Sequence, residues 1–192
     1  MMQENYLKLL ELESKKYKKN KDLFDIVLYG SVVKGKRRVN DFDVLLIFIH
    51  SSLEERVKIV QSFKNNLKLE KLDIKTINLS ELFDKNFLAR QGIILEGVSL
   101  IDKRPIREKL GFESFGLFKI ETKNLSNTKK VKFSYSLNGR REEKGFLKKV
   151  EGEKISQQII QIPIKNLDLF KEYLENLKIN YKLKQILVPN YK

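Results

Sequence analysis

The chain has 192 residues, with 39 Lys and Arg against 25 Asp and Glu, and a formal net charge of +14. It contains no cysteine and one histidine, His50, which excludes disulfides, thiolate metal sites and catalytic sites built on several histidines. With 41% hydrophobic and 33% charged residues, the composition is that of a folded protein, long enough for one large domain or a domain with a smaller companion.

Apolar runs are too short for a membrane span, since the longest, Val44 to Ile49, has the length of a strand. The first five residues lack the layout of a secretion signal. We therefore expect a cytoplasmic protein with no membrane partner. The positive charge favours phosphate-rich partners, although a lysine-rich composition that maintains solubility explains it equally well.

Residues 3–19 predict a helix, because Tyr6, Leu9 or Leu10, Glu13 and Tyr17 recur at near-helical spacing with lysines outward. The next segment predicts two strands joined by a turn: an apolar run leads into Gly30-Ser31, and a second run follows Asp41-x-Asp43. Side chains two apart in a strand share a face, so the two aspartates should project together.

Two adjacent carboxylates raise each other's pKa unless a cation lies between them, which favours a divalent metal. Mg²⁺ prefers a few carboxylates with water and phosphate oxygens, and two such ions about 3.5–4 Å apart can serve an in-line displacement. Gly30 would let the backbone approach a phosphate, and Ser31 offers a hydroxyl and an N–H. The motif therefore predicts a nucleoside triphosphate site with two Mg²⁺ ions.

The residues Gly30-Ser31, Gly35 and Asp41-x-Asp43 resemble the signature of the polymerase-beta-like nucleotidyltransferases, especially the minimal nucleotidyltransferases of archaea and bacteria. The resemblance covers about residues 20 to 100. It implies transfer of a nucleoside monophosphate from an NTP, with ATP the expected donor, to an acceptor hydroxyl. Asn40 stands where the family often has serine, and the loop before it is more basic than in many relatives.

The resemblance also implies roles for individual residues. Asp41 and Asp43 would ligate both metals, and Asp73 would be the third catalytic carboxylate, on the metal that lowers the pKa of the acceptor hydroxyl. The nucleotide would lie against Gly30, Ser31, Lys34 and Gly35. Three basic residues of the loop, Lys36, Arg37 and Arg38, would balance triphosphate charge or meet a nucleic-acid acceptor. The alternative is a tight turn with two surface aspartates neutralised by these three residues.

A helix over 54–67 is predicted next, with Val57, Val60, Phe63 and Leu67 inward, followed by a strand over 72–77. Strand, helix and strand in that order would bring Asp73 beside the Asp-x-Asp pair in a parallel or mixed sheet. An acid opening an interior strand needs a partner, which a metal would supply. The alternative is a surface acid paired with Lys71 or Lys75.

The rest of this part of the chain predicts three further elements. Residues 79–96 should form a helix, residues 98–101 an edge strand, and residues 105–110 a short helix that ends at Gly111.

The pattern changes after Gly111, which indicates a domain at 1–111 and a smaller α+β domain at 112–192 that positions an acceptor or partner. Alternation of apolar and polar residues over 115–137 predicts a strand. Two further strands are predicted at 159–164 and 181–188, with a helix between them at 167–177. The expected fold class is α/β (α+β), with a nucleotidyltransferase-type mixed sheet and flanking helices in the first domain.

The window 129–149 holds eight basic residues against Glu142 and Glu143, with Phe133, Tyr135 and Phe146 interleaved. Bases stack on exposed aromatics while cations follow phosphates, so this window is the candidate nucleic-acid contact. Its named candidates are Lys130, Lys132, Arg140, Arg141 and Lys144. The alternative is that the aromatics face the core and leave an ordinary charged loop.

Three functions compete at this stage. The first is a nucleotidyltransferase whose acceptor is RNA. The second is a protein-modifying (AMPylating) transferase of the toxin–antitoxin type, whose members usually lack so large a second domain. The third is a non-catalytic nucleic-acid-binding protein, for which neither Mg²⁺ nor NTP would bind.

Overall fold

A computed structural model describes residues 2–33, 41–67, 69, 71–123, 125–140 and 144–190. These residues form seven α-helices and two four-stranded sheets, a mixed α+β architecture. The chain divides into two compact units, Met1–Gly111 and Phe112–Lys192, and the division falls where the sequence pattern changes. In the ranges just given, no helix is both long and apolar enough to cross a bilayer.

The first unit is a mixed sheet with strand order β3-β2-β1-β4, in which only the β2–β3 pair is parallel. A short 3₁₀ turn, Glu81–Phe83, follows β3. The helices and strands are α1 Met2–Lys16, β1 Leu23–Tyr29, β2 Phe42–Phe48, α2 Leu53–Leu67, β3 Leu72–Asn78, α3 Arg90–Glu96, β4 Val98–Ser99 and α4 Ile106–Lys109.

Strands β1 and β2 are almost wholly apolar because the sheet is covered on both faces. From Asp25 onward in β1, after the register shift between Leu23 and Asp25, and throughout β2, the even-numbered residues pack with Leu10 of α1 and Phe63 of α2. The odd-numbered residues of the same segments pack on the other face with Ile93 of α3 and Ile106 of α4. The parity of a strand position therefore decides which set of helices a side chain meets.

Most sequence predictions for this unit are confirmed, including α1, α2, the first three strands and the edge position of β4. Val57 was expected to be buried, but 45% of it is exposed. The continuous helix over 79–96 is also wrong, since only the 3₁₀ turn and α3 form. The Asp84 carboxylate accepts a hydrogen bond from the Asn86 backbone N–H, a local turn that competes with the helix.

A buried carboxylate, Asp25 on β1, is fully enclosed and fully partnered. The Ser99 hydroxyl of β4 donates to it at 2.8 Å, and the Lys109 ammonium of α4 lies 2.8 Å from its other oxygen. The same ammonium donates to the Phe24 carbonyl. Because a buried charge is tolerated only when it is paired, this network ties β4 and α4 to β1.

Lys109→Met should destabilise the protein by about 3 kcal/mol, because Asp25 is left buried without its cation. The comparison is Lys103→Met, which removes an exposed ion pair with Glu11 and should cost under about 1 kcal/mol. Adding Asp25→Asn to Lys109→Met should recover part of the loss. Urea unfolding measures all three, and equal costs for the two lysine variants would contradict the role of the network.

The second unit has antiparallel strands throughout, in the order β6-β7-β5-β8. Its elements are β5 Phe112–Glu121, α5 Asn127–Asn138, α6 Phe146–Lys149, β6 Glu153–Lys154, β7 Ile159–Pro163, α7 Leu167–Asn176 and β8 Asn180–Pro189. With the short α6 set aside, the chain order is β-α-β-β-α-β and the fourth strand lies beside the first. This is the ferredoxin-like arrangement.

Aromatic rings fill the core between this sheet and its helices. Phe118 of β5 meets Phe170 of α7 edge-on with ring centroids 4.7 Å apart, and Phe146 of α6 stacks on Tyr173 of α7 at 4.0 Å. Such pairs add to the apolar burial that stabilises a small domain. The predicted strands at 159–164 and 181–188 and the helix at 167–177 are confirmed.

The predicted strand over 115–137 is wrong in its second half, where α5 forms instead. Ser126 caps this helix by accepting a hydrogen bond from the Lys129 N–H. Phe133 and Leu137 are buried one helical turn apart, so the apolar pattern has a helical period as well as an alternating one. Gly139, with φ of 87°, ends the helix.

Candidate active site

Three neighbouring strands bring Tyr29, Asp43 and Asp73 side by side at one end of the first sheet. Asp43 on β2 pairs with Tyr29 on antiparallel β1 and with Asp73 on parallel β3. These positions share the parity of the strand residues that face α3 and α4, so the side chains emerge on one face. The expected adjacency of Asp73 and Asp43 is therefore observed.

The Gly30 turn is packed directly against the Asp43 carboxylate. Gly30 has φ of +79°, and a Cβ at this position would lie 2.2 Å from Asp43 Oδ2. Glycine is thus required twice, for the left-handed backbone and for the close approach of the carboxylate. Ser31 follows in the same turn and is partly exposed.

The pKa of Asp43 is raised above its ordinary value, chiefly because the carboxyl is partly buried. The negative charges of Asp73 and Asp41 raise it further, and the Lys75 ammonium opposes them. All three predicted carboxylates thus interact electrostatically. Asp41 itself is exposed and immediately precedes β2.

Lys75 is paired with this group among the described residues, with its Nζ 3.3 Å from Asp73 Oδ2. The prediction that Asp73 opens an interior strand is wrong: β3 is an edge strand and 47% of the Asp73 side chain is exposed. The surface pairing with Lys75 that was the alternative is present. With 57% of the Lys75 side chain in solvent, the pair contributes only about 0–1 kcal/mol, so the ammonium can leave at small cost.

Tyr29 is a site residue that sequence reasoning missed, because it was counted as the last apolar residue of β1. Its hydroxyl is buried and makes no hydrogen bond of normal geometry with the described residues. Burial raises its pKa, the Lys75 ammonium lowers it, and the charges of Asp43 and Asp73 raise it again. The sequence signal that could have identified Tyr29 is its position directly before Gly30. This position indicates a site residue only once the register of β1 against β2 is known, because the register places Tyr29 beside Asp43.

The carboxylates at this end of the sheet can be compared with the ligands that a divalent cation requires. Their donor atoms are carboxylate oxygens, the ligands that Mg²⁺ prefers, and Asp43 is partly buried against other negative charges. Asp43 and Asp73 therefore fit such an ion as a pair. Within the described parts of the chain, no three acidic or histidine side chains converge closely enough to form a metal cluster.

The remaining predicted residues divide between the described and undescribed parts of the chain. Lys34, Gly35, Lys36, Arg37, Arg38 and Arg141 lie outside the described residues. In the second unit, Lys130 and Lys132 are exposed on α5, Lys144 is exposed before α6, and the Arg140 guanidinium lies over the Tyr135 ring.

Comparison with protein-family models and with curated proteins identified no relative of this chain. No protein-family model matches the chain, and no curated protein matches it either. The functional inference therefore depends on the site itself and on the motif that Gly30, Ser31, Asp41 and Asp43 form.

Gly30→Ala should lower the pKa of Asp43, because the new methyl group pushes the carboxylate away from the turn toward solvent. The control is Gly111→Ala, where φ is +80° but nothing lies within 4 Å of an added Cβ. Both variants should lose about 1–2 kcal/mol of stability from the left-handed backbone. Carboxyl titration by NMR should show the pKa change only in Gly30→Ala, and an unchanged Asp43 there would contradict the packing described.

Lys75→Met should tighten divalent-ion binding on the order of tenfold, because it removes the cation that competes at the carboxylates. The matched control is Lys58→Met, which changes the net charge equally on α2, against the opposite face of the sheet. Titration with Mn²⁺ in the absence of nucleotide measures both. Weaker binding in Lys75→Met, or an equal effect in the control, would show that Lys75 does not compete with the ion.

Proposed function

We propose that this protein is a metal-dependent nucleotidyltransferase that moves a nucleoside monophosphate from an NTP to an acceptor hydroxyl and releases pyrophosphate. The observation that carries the proposal is the register of the first three strands. It sets Asp43 directly beside Asp73 and the Gly30 turn against Asp43. The motif resemblance supports the same function independently of the strand pairing.

The chain's own groups would bind and orient the substrate. The partly exposed Gly30-Ser31 turn would offer its backbone and a hydroxyl to phosphate oxygens. Asp43 and Asp73, with Asp41, would hold the divalent ions. When bound, Mg²⁺ supplies neutralisation of the triphosphate and a lower pKa for the acceptor hydroxyl.

Lys75 would change partners when nucleotide binds. Its exposed ammonium pairs with Asp73, and a triphosphate carries more negative charge than one carboxylate. Once Asp73 is engaged by a metal, phosphate oxygens become the better partner for the ammonium. The lysine would then contribute positive charge where phosphoryl transfer develops negative charge.

The Lys75–Asp73 pair also supports a second candidate, a non-catalytic nucleic-acid-binding protein. In that case the lysine would neutralise the carboxylates permanently and no divalent ion would enter. The two candidates differ in whether Mn²⁺ and NTP bind at all, so they are separable before any acceptor is known.

Asp43→Asn should abolish nucleotidyl transfer, with a loss of at least about 100-fold, because it removes a charged metal ligand beside Asp73. The assay incubates the protein with each α-labelled NTP and Mg²⁺ in total cell extract, with ATP first. Label on an RNA end or on a protein distinguishes an RNA acceptor from the AMPylating alternative. Asp168→Asn, an exposed acid of the second unit, is the control that should retain activity.

The melting temperature of the Asp43→Asn variant shows whether the variant is still folded. Because the folded-state pKa of Asp43 is raised, its ionised form costs free energy in the folded protein above that pKa, and the cost is lost as pH falls through it. The variant should therefore melt at a higher temperature than the unchanged protein at pH 7, with the difference shrinking in acid. Full transfer activity in this folded variant would refute the proposed function.

A further inference from the structure

Helix α5, Arg140 and Lys144 carry a basic surface that has no acidic partner among the residues that the structure describes. Six residues define it, here called the α5 surface: Lys129, Lys130, Lys132, Tyr135, Arg140 and Lys144, all of them exposed. The start of α6 packs on the end of α5, since a Cβ on Gly145 would lie 2.2 Å from the Asn138 carbonyl carbon. Lys144 and Arg140 are thereby held near the same end of the helix.

Among the described residues, three other lysines of this unit form ion pairs with carboxylates, and the lysines of the α5 surface form none. The ion pairs among the described residues of the unit are Lys165–Glu151, Lys171–Asp168 and Lys182–Glu121. Between residues 125–140 and 144–150 there is no Asp or Glu, and Glu142 and Glu143 lie outside the described residues. Unneutralised like charges on one helix repel each other, so the surface is complementary to a polyanion.

An aromatic ring stands among these cations. Tyr135 is 48% exposed, and the Arg140 guanidinium lies 5.1 Å from its ring centroid. Val131, one turn earlier, is 50% exposed on the same outward side. A flat ring beside a flat cation offers a stacking platform for a nucleobase, while the lysines match phosphates.

We propose that the α5 surface binds single-stranded RNA, with phosphates on its lysines and a base stacked on the Tyr135–Arg140 pair. A stacking platform is useful only where bases are unpaired, and RNA presents such bases at loops and ends. The binding needs neither metal nor nucleotide, so it stands apart from the nucleotidyltransferase function. If both hold, the second unit brings the acceptor to the protein.

The test measures fluorescence anisotropy of a fluorescein-labelled single-stranded RNA of mixed sequence, about 12 nucleotides long, with EDTA and no NTP. The triple variant Lys129→Gln, Lys130→Gln, Lys132→Gln should bind at least about tenfold more weakly, and its salt dependence should fall by about two units of logarithmic slope. Circular dichroism checks that α5 still forms, as glutamine has nearly the helix propensity of lysine.

The matched control removes three other exposed lysines of the same unit, as Lys154→Gln, Lys178→Gln, Lys184→Gln, and should change binding far less. Tyr135→Ala should weaken binding about tenfold, and Tyr135→Phe should restore it, because phenylalanine keeps the ring. Asp43→Asn should bind RNA as the unchanged protein does, which separates failure of this proposal from failure of the transferase.

The proposal is overturned if the protein does not bind this RNA at low salt, or if the two lysine triples weaken binding equally. Unchanged binding by Tyr135→Ala also overturns it. Duplex RNA, heparin or DNA of the same sequence bound as tightly as the single-stranded RNA would show a general polyanion surface instead.

Discussion

The arrangement of the candidate site depends on one parallel strand pairing. Strand β3 returns after α2 to lie beside β2 in the register that sets Asp73 against Asp43. A shift of one residue would turn Asp73 to the opposite face, toward α1 and α2, and leave the two carboxylates on different sides of the sheet. The register is maintained by apolar residues of β3 packed on both faces, Ile74 with Leu46 and Phe63 on one and Ile77 with Ile47 and Ile93 on the other. The stability of the core and the geometry of the site thus have the same origin.

Two carboxylates of this sheet, one in a structural position and one in the candidate site, have very different sets of partners. Asp25 is completely buried, yet a hydroxyl and an ammonium satisfy it. Asp43 is less buried but meets other carboxylates, and its pKa is raised by burial and by their charge. A structural acid is given its partners by the fold, whereas an acid with an incomplete set of partners is typical of a site that awaits a ligand. Lys75 partly offsets the repulsion from an exposed position.

The second unit shows how a change of secondary structure changes the meaning of the same residues. As a strand, Val131, Phe133, Tyr135 and Leu137 would all share one face. As a helix, Phe133 and Leu137 enter the core while Val131 and Tyr135 remain outside. Both periods fit the apolar pattern of this short segment, so the cap at Ser126 and the packing against α7 decided between them. The exposed ring beside Arg140, on which the RNA proposal rests, is a consequence of that decision.

The sequence by itself determined the local features of this protein: the Gly30-Ser31 turn, the two apolar strands around it, the paired aspartates and the order of strand, helix and strand. Each of these follows from side-chain periodicity and backbone preference within a short window. Only the tertiary structure decided that β3 is an edge strand, that Lys75 pairs with Asp73 and that Tyr29 is buried beside Asp43. These relations join residues far apart in the chain, and they depend on strand register and packing, which no local window contains.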